Sequence, residues 1–419
     1  MRCFRAMLIP SLPLLPGGAP APDARAFAML GGVEAVVRGL LLSATPVLAY
    51  RAIGDAQALS AVYTAAGVAA LGLALVTPWL GRFVARRRLY VGSALGFVLS
   101  AALVAADADW VVAAILVNAL ATVVMTICFN AYLMDYVARA DLGRAESLRL
   151  FWSAGAWVGG PFLGVWLMET MGSAAPFVAS GGAALVLIAL FLRLRFGEGR
   201  AIRRAKGPPP SPLAHLGRFL RRRRLVAGWA LATTRSCGWM AFFIYGPVYA
   251  VQSGLGELTG GLIASLGSAF LFLSPGFARV LSRLGVRKTV VAGFGGGALG
   301  WALAAGFAGA APWLAVAGLL GAALFMASLD VSAGLPFLMA VKPGERAEMS
   351  SIYATFRESS LIATPAAGGL ALGLGGMPVV FGAVALAYAA AGVGARGLPA
   401  RLGLPRMRLA PLAAAAPTA

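Results

Sequence analysis

The sequence predicts an all-α membrane protein in which twelve transmembrane helices form two pseudo-symmetric bundles of six. Three observations predict it: a series of long apolar segments, a one-sided distribution of positive charge, and an internal repeat at a nearly constant spacing. Of 419 residues, 60% are hydrophobic and 12% charged, where a soluble chain is about a quarter charged. The mean hydropathy is +0.84. Too few polar side chains remain to cover the surface, which excludes water as its solvent.

A helix of about 20 apolar residues crosses the hydrocarbon core. Such runs lie at 26–50, 59–80, 89–106, 110–134, 149–170 and 174–194, then at 225–251, 258–280, 289–309, 312–340, 350–373 and 377–395. They are read as helices 1 to 12, because isolated strands leave their backbone groups unpaired in lipid. The 54 glycines suit helices whose backbones approach closely. The chain divides into a disordered tail (1–24), an N-terminal bundle (25–196), a basic loop (197–223), a C-terminal bundle (224–397) and a C-terminal tail (398–419). Arg2 and Arg5 ahead of Ala6–Leu15 loosely resemble a secretory signal. Its removal would invert every loop, and Pro10, Pro13 and Pro16 disfavour a helical targeting core.

The net charge is +20. With the N-terminus in the cytoplasm, 31 of the 35 Lys and Arg fall at cytoplasmic loops and helix ends. Arg38, Arg235 and Arg357 lie within helices, and Arg51 alone falls on the far side. The positive-inside rule then places both termini in the cytoplasm of a multi-pass inner-membrane protein. It also accounts for the basic charge without nucleic acid. In the middle loop, Arg200, Arg203, Arg204, Lys206, Pro208–Pro210 and Arg221–Arg224 read as a linker and topological anchor. Cys3, Cys128 and Cys237 give neither a disulfide framework nor zinc spacing, and His215 is the one histidine. No phosphate-binding loop is present. Gly295, Gly297 and Gly300 have dinucleotide-motif spacing but fall in a predicted membrane helix, where close packing explains them. The expectation is therefore a non-enzyme with no cofactor and no metal.

The halves repeat each other. Pro78 within Thr77–Arg82 matches Pro275 within Ser274–Arg279, an offset of 197 residues, and Arg38 matches Arg235 at the same offset. Asn130 matches Asp330, Arg144-Ala145-Glu146 matches Arg346-Ala347-Glu348, and Pro161 matches Pro365, with the offset drifting to 204. Six helices repeated in the same orientation suit a carrier whose binding site lies at the midplane between the halves.

This pattern resembles the major facilitator superfamily over about residues 25–396. That family's loop between helices 2 and 3, repeated between 8 and 9, is similar to Ser282-Arg283-Leu284-Gly285-Val286-Arg287-Lys288, with Ser282 at the acid and Ala278 at the first glycine. The first-half copy, Gly81 to Arg88 with Arg82 and Arg86, has Ala85 at the acid. The resemblance implies a cytoplasmic gating seam, weakened or served instead by Asp141, Glu146, Glu345 or Glu348. Gly160-Pro161-Phe162-Leu163-Gly164 is similar to the helix-5 hinge of the family's exporters and leans toward efflux. The helix-4 arginine of its drug exporters has no counterpart in Trp110–Met134.

An ionisable group at the midplane costs roughly 2.5–3.5 kcal/mol on insertion scales. Glu34, Arg38, Arg235, Asp330, Arg357 and Glu358 stand there. Glu34 and Arg38 are four apart and can pair on one helix face. The resemblance implies a cavity lined by helices 1, 4, 7 and 10, hence by Glu34, Arg38, Arg235 and Asp330 with Asn118 and Asn130. Arg38 and Arg235 would flank an anionic group on the solute. Asp330 or Glu34, with Arg357 and Glu358 nearby, would carry a coupling proton. Buried ion pairs that hold helices in register are the alternative. Asp135 is read as an interfacial residue or a latch to a nearby Arg, Glu169 and Glu257 as lying at the outer surface, and Trp152, Trp157, Trp239, Tyr245 and Tyr249 mainly as packing or anchoring groups. The expected function is secondary active transport of a small solute by a monomer, driven by protons and leaning to efflux of an amphipathic or anionic compound. Proton-coupled uptake and a non-transporting scaffold on the same fold are the alternatives.

Overall fold

The computed structural model describes residues 24–137, 142–194, 216–341, 345, 349 and 352–399. The two tails with Cys3, the loop 195–215 with His215, Asp141, residues 346–348, and the side chains of Pro78, Arg82, Asp135, Arg144 and Glu146 lie outside the described residues.

The described chain is helical and contains no strand. In the first half, α1 comprises Ala24–Gly39 and Leu41–Ile53, α2 is Ala56–Phe83 and α3 is Arg86–Ala106. They are followed by α4 (Val111–Tyr136), α5 (Leu142–Met171) and α6 (Ala175–Arg193). After a short helix, Leu216–Leu220, α7 spans Arg223–Gln252. The run Glu257–Ala269, Phe270–Leu273 and Ser274–Phe307 is divided at Gly285 into α8 and α9. Next, α10 comprises Pro312–Ser332 and Leu335–Ala340, and Phe356–Ala395 is divided at Gly375 and Gly376 into α11 and α12.

Local chemistry sets these boundaries. Gly54, at φ 75°, closes α1 in the left-handed conformation that lacks a penalty only for glycine. The Asp55 side chain then accepts from Gln57 N (3.2 Å) and Ala58 N (2.8 Å) and caps α2, an interaction worth about 1 kcal/mol. Pro176 and Pro312 open α6 and α10, where the missing N–H costs nothing. Two expected loops shrink to glycine breaks. The sequence leaves 281–288 between helices 8 and 9, yet helix resumes directly after Gly285, whose φ of 77° reverses the chain in one residue. Gly376, at φ 73°, does the same between α11 and α12.

The halves repeat their packing. In the first, α1 lies on α5 and α6 while α3 lies on α4 and α6; the second pairs α7 with α11 and α12, and α9 with α10 and α12. Small residues allow this closeness. A Cβ on Gly300 would overlap the Ala322 backbone, and one on Gly297 would stand 2.7 Å from Tyr388, whereas Gly295 faces open space. Two of the three dinucleotide-spaced glycines are thus packing sites. A satellite cluster of Phe219, Leu225, Phe337, Val341, Met349 and Ile352 ties the short helix to α7 and to the link after α10. Beside it, Arg222 pairs with both oxygens of Glu345, with Nη2 2.9 Å from Oε1.

The halves meet at one end. There Arg51 of α1 pairs with Glu257 of α8, and Glu169 of α5 accepts from Leu258 N at 3.2 Å. Phe162 N donates to Ser265 Oγ at 3.0 Å, and Ser60 and Tyr245 share a 2.9 Å hydrogen bond. Glu257 is therefore buried in the joint rather than facing the outer surface. At the opposite end, which carries the basic turns, Trp79, Phe83, Phe151, Phe272 and Leu273 are exposed, as is most of α8 over residues 271–284. The bundles are joined at the Arg51 end.

Candidate functional site: a cavity between the bundles

A cavity of about 270 Å³ opens between α1, α2 and α4, with α7 and α11 closing it from the other half. Its wall is mostly apolar, with Phe97, Trp157 and Phe243 as aromatic faces. Arg38 is the one charged residue in that wall among the described residues. Its Nη1 stands 3.4 Å from Glu34 Oε1, and its guanidinium lies 5.3 Å from the centre of the Trp157 ring. A third of the Arg38 side chain is exposed while Glu34 is nearly covered, so the cation faces the cavity and the carboxylate stands behind it.

The position of Arg38 follows from how α1 and α5 fit together. A Cβ on Gly39 or Gly160 would collide with the other helix, and one on Gly164 would overlap the carbonyl of Leu40. The other face of the same α5 segment meets the second half: a Cβ on Gly261 would lie 3.1 Å from Pro161 O and from Phe162 Cα. The glycine–proline segment is thus pressed between α1 of its own half and α8 of the other.

Arg235 and Asp330 stand differently. Arg235 Nη1 lies 3.2 Å from Asp330 Oδ1, Trp239 Nε1 donates to Asp330 Oδ2 at 3.0 Å, and the Tyr388 hydroxyl donates to the Arg235 carbonyl at 3.1 Å. None of these four residues lines the cavity; Trp239 stacks on Phe243, which does, at 5.4 Å and 14°. The ion pair therefore sits one aromatic layer behind the wall, and α10 does not contribute to it. The repeat is broken here: Asn130, the counterpart of Asp330, is exposed and away from the cavity, and Arg38 takes its partner from its own helix.

Arg357 is exposed, 5.7 Å from the Phe356 ring, and within electrostatic reach of Arg235, Arg38 and Arg149. Glu358 is half-buried and forms no ion pair among the described residues. The structure does not bring Asn118 and Asn130 together: Asn118 lines the cavity, with both amide atoms buried and without partners among the described residues.

Of the expected gating residues, Gly81 has open space around it, Arg86 lies 5.4 Å from the Tyr132 ring, and Arg283 and Lys288 are exposed. Arg287 is half-buried and Gly285 forms the break. Of the substitute acids, Glu345 serves Arg222 within the second half.

The sequence reading missed Arg149, whose side chain packs over Gly31 and lies 5.8 Å from the Phe129 ring, within reach of Glu34. It stands at the edge of the predicted fifth helix, where a base reads as an interfacial anchor. Trp157, assigned to packing, and Tyr63 both line the cavity.

The family model described as the Major Facilitator Superfamily matches residues 27–282. A search of curated proteins returned no match. Among solved structures, the chain is similar to the nucleoside transporter NupG, with TM-score 0.67 and 12% identity over 89% of this chain and 97% of that one. It is also similar to a POT family transporter in complex with 5-aminolevulinic acid, with TM-score 0.74 and 8% identity over 88% and 94%. A POT family transporter in complex with a thioalcohol-conjugated peptide gives TM-score 0.71 and 9% identity over 88% and 94%. At these identities the likeness is one of fold.

Proposed function

The chain belongs to the major facilitator superfamily, and from that membership we propose that it is a proton-coupled secondary transporter that exports a small amphipathic or anionic solute by alternating access. The observation that carries the reading is the cavity of about 270 Å³ between the halves, mostly apolar and aromatic, with Arg38 as its one charged residue among the described residues. Transport by rocking needs a site both halves can reach from either side, and α7 and α11 supply the second half's share of the wall. A scaffold on the same fold needs no such cavity. The similar transporters are named for nucleosides and peptides, and one holds 5-aminolevulinic acid, which supports a compact polar solute.

The solute's negative group lies against Arg38, while Trp157, Phe97 and Phe243 hold its apolar part. Asp330 carries the coupling proton: its protonation removes the charge that holds Arg235 and frees α7 to move against α10. Glu34 plays the corresponding part for Arg38, and Glu358 and Arg357 adjust the balance in the gap. The basic turns, with Arg82, Arg86, Arg283, Arg287 and Lys288, lie in the cytoplasm, so the joined Arg51 end faces the far side of the membrane. The protein works as a monomer in the inner membrane, without nucleic acid.

A thermal-shift screen of purified protein at two pH values identifies a ligand, because any ligand that binds only the folded state raises the melting temperature. Counterflow of that ligand in proteoliposomes then tests coupling. Wild type accumulates it in response to a pH gradient, and Asp330→Asn exchanges it without responding to the gradient. An unchanged pH response in the variant removes Asp330 from the coupling role. The sign of the gradient that drives net flux separates export from uptake.

A further inference from the structure

Two of the neutral polar side chains in the cavity wall are left without hydrogen-bond partners among the described residues. They are the amide of Asn118 on α4 and the hydroxyl of Thr45 on α1. Other hydroxyls between the helices divide: Ser60 pairs with Tyr245 at 2.9 Å and Ser236 with Ser360 at 2.8 Å, while those of Ser43, Tyr90 and Ser100 also lack partners among the described residues. Asn118 is the one buried amide among the described residues with both ends unpaired. Protein interiors rarely leave an amide with both ends unsatisfied. An asparagine amide presents an acceptor and a donor side by side in one plane. A carboxylate satisfies only its N–H group, and an ammonium satisfies only its oxygen. A planar group with adjacent carbonyl and N–H satisfies both at once. The apolar surroundings, with Leu41 and Ile115 in the same wall, oppose a second charge beside it.

We propose that Asn118 and Thr45 form a neutral donor–acceptor subsite that reads an amide-type edge of the solute (a carboxamide, lactam or ureide) while Arg38 holds the solute's negative group. This rests on the reading of the cavity as a solute site and narrows it to compact molecules that carry one anionic group and one amide-like edge. A volume of about 270 Å³ lies just below the range for drug-sized ligands, roughly 300–1,000 Å³, and so fits a molecule of one or two rings.

The test uses two probes of nearly equal shape, para-carbamoylbenzoate and para-acetylbenzoate, the second lacking the amide N–H group. Affinities are measured by calorimetry on the purified full-length chain, wild type, Asn118→Leu, Thr45→Val and Arg38→Gln. Wild type should prefer the carbamoyl probe about tenfold, the worth of one well-placed hydrogen bond. Asn118→Leu should abolish that preference, Thr45→Val should reduce it, and Arg38→Gln should weaken both probes alike and leave the preference intact. A second readout needs no ligand: Asn118→Leu, which removes an unsatisfied buried amide, should raise the melting temperature of the free protein. Equal, Arg38-dependent binding of both probes to wild type overturns the neutral subsite and leaves the anionic-solute reading standing. Absence of binding by both overturns the two together. A preference that survives in Asn118→Leu, or a lower melting temperature of the free variant, also overturns the subsite.

Discussion

Gly164 and Gly81 both belong to motifs that the sequence offered as functional, and the fold gives them opposite physical meanings. A Cβ on Gly164 would overlap the Leu40 carbonyl, whereas one on Gly81 would meet nothing within 4 Å. Gly164→Ala should therefore destabilise the protein by about 1–3 kcal/mol, the usual cost of overpacking. Gly81→Ala should be neutral or stabilising by up to about 1 kcal/mol, as alanine in place of glycine within an exposed helix usually is. Thermal unfolding in detergent measures both. The Arg235–Asp330 pair supplies a second residue-scale prediction. Asp330→Ala strands a guanidinium whose side chain is 16% exposed, at a cost of about 3–5 kcal/mol, and a double replacement by apolar residues should recover most of it. A double-mutant cycle on melting temperature checks this. The six charges within helices were legible as ionisable groups interrupting apolar runs, but not their burial: Glu34 is buried, whereas Arg357 is exposed and Glu358 half-buried. Which of them faced the cavity was not legible. Arg38 and Arg235 occupy matching repeat positions, and only the packing of Trp239 on Phe243 puts one behind the wall and leaves the other in it.

At the scale of helices, apolar length located the segments but not their ends. The basic turn at Gly285 read as a loop because charge and glycine interrupt the apolar run, yet one positive φ suffices and helix continues on both sides. The α5 segment read as an interfacial start at Arg149, and helix extends back to Leu142 because its N-terminal turns project beyond the apolar span. The least legible feature was the joint at the Arg51 end. Arg51, Glu169 and Glu257 looked like surface charges, since partners 89 to 206 residues apart leave no mark in a local pattern. That joint predicts a specific defect. Arg51→Gln should loosen the closed end and increase labelling of Ser60→Cys, which is buried beside Tyr245, by a membrane-impermeant maleimide in a background without native cysteines. Labelling no faster than in the parent would show that the ion pair does not hold the end shut.

For the whole molecule, the repeat was the most informative feature of the sequence. A spacing held near 200 residues from Arg38–Arg235 to Pro161–Pro365 implied two equivalent bundles, and the packing of α1 to α6 recurs in α7 to α12. The arrangement of the bundles relative to each other was not encoded there, because it depends on the joint at the Arg51 end and on which helices face the gap. The central claim is that the halves rock about the cavity, one end opening as the other closes. Pulsed electron–electron spin-label distances test it directly, with one pair at Phe83→Cys and Ser282→Cys on the basic ends of α2 and α8, and another at Ala52→Cys and Gln252→Cys at the far ends of α1 and α7. In lipid nanodiscs, adding Glu257→Gln to release Arg51 should lengthen the far pair and shorten the basic pair within the same population. Distances that stay fixed at both ends, or that lengthen together, would contradict the account.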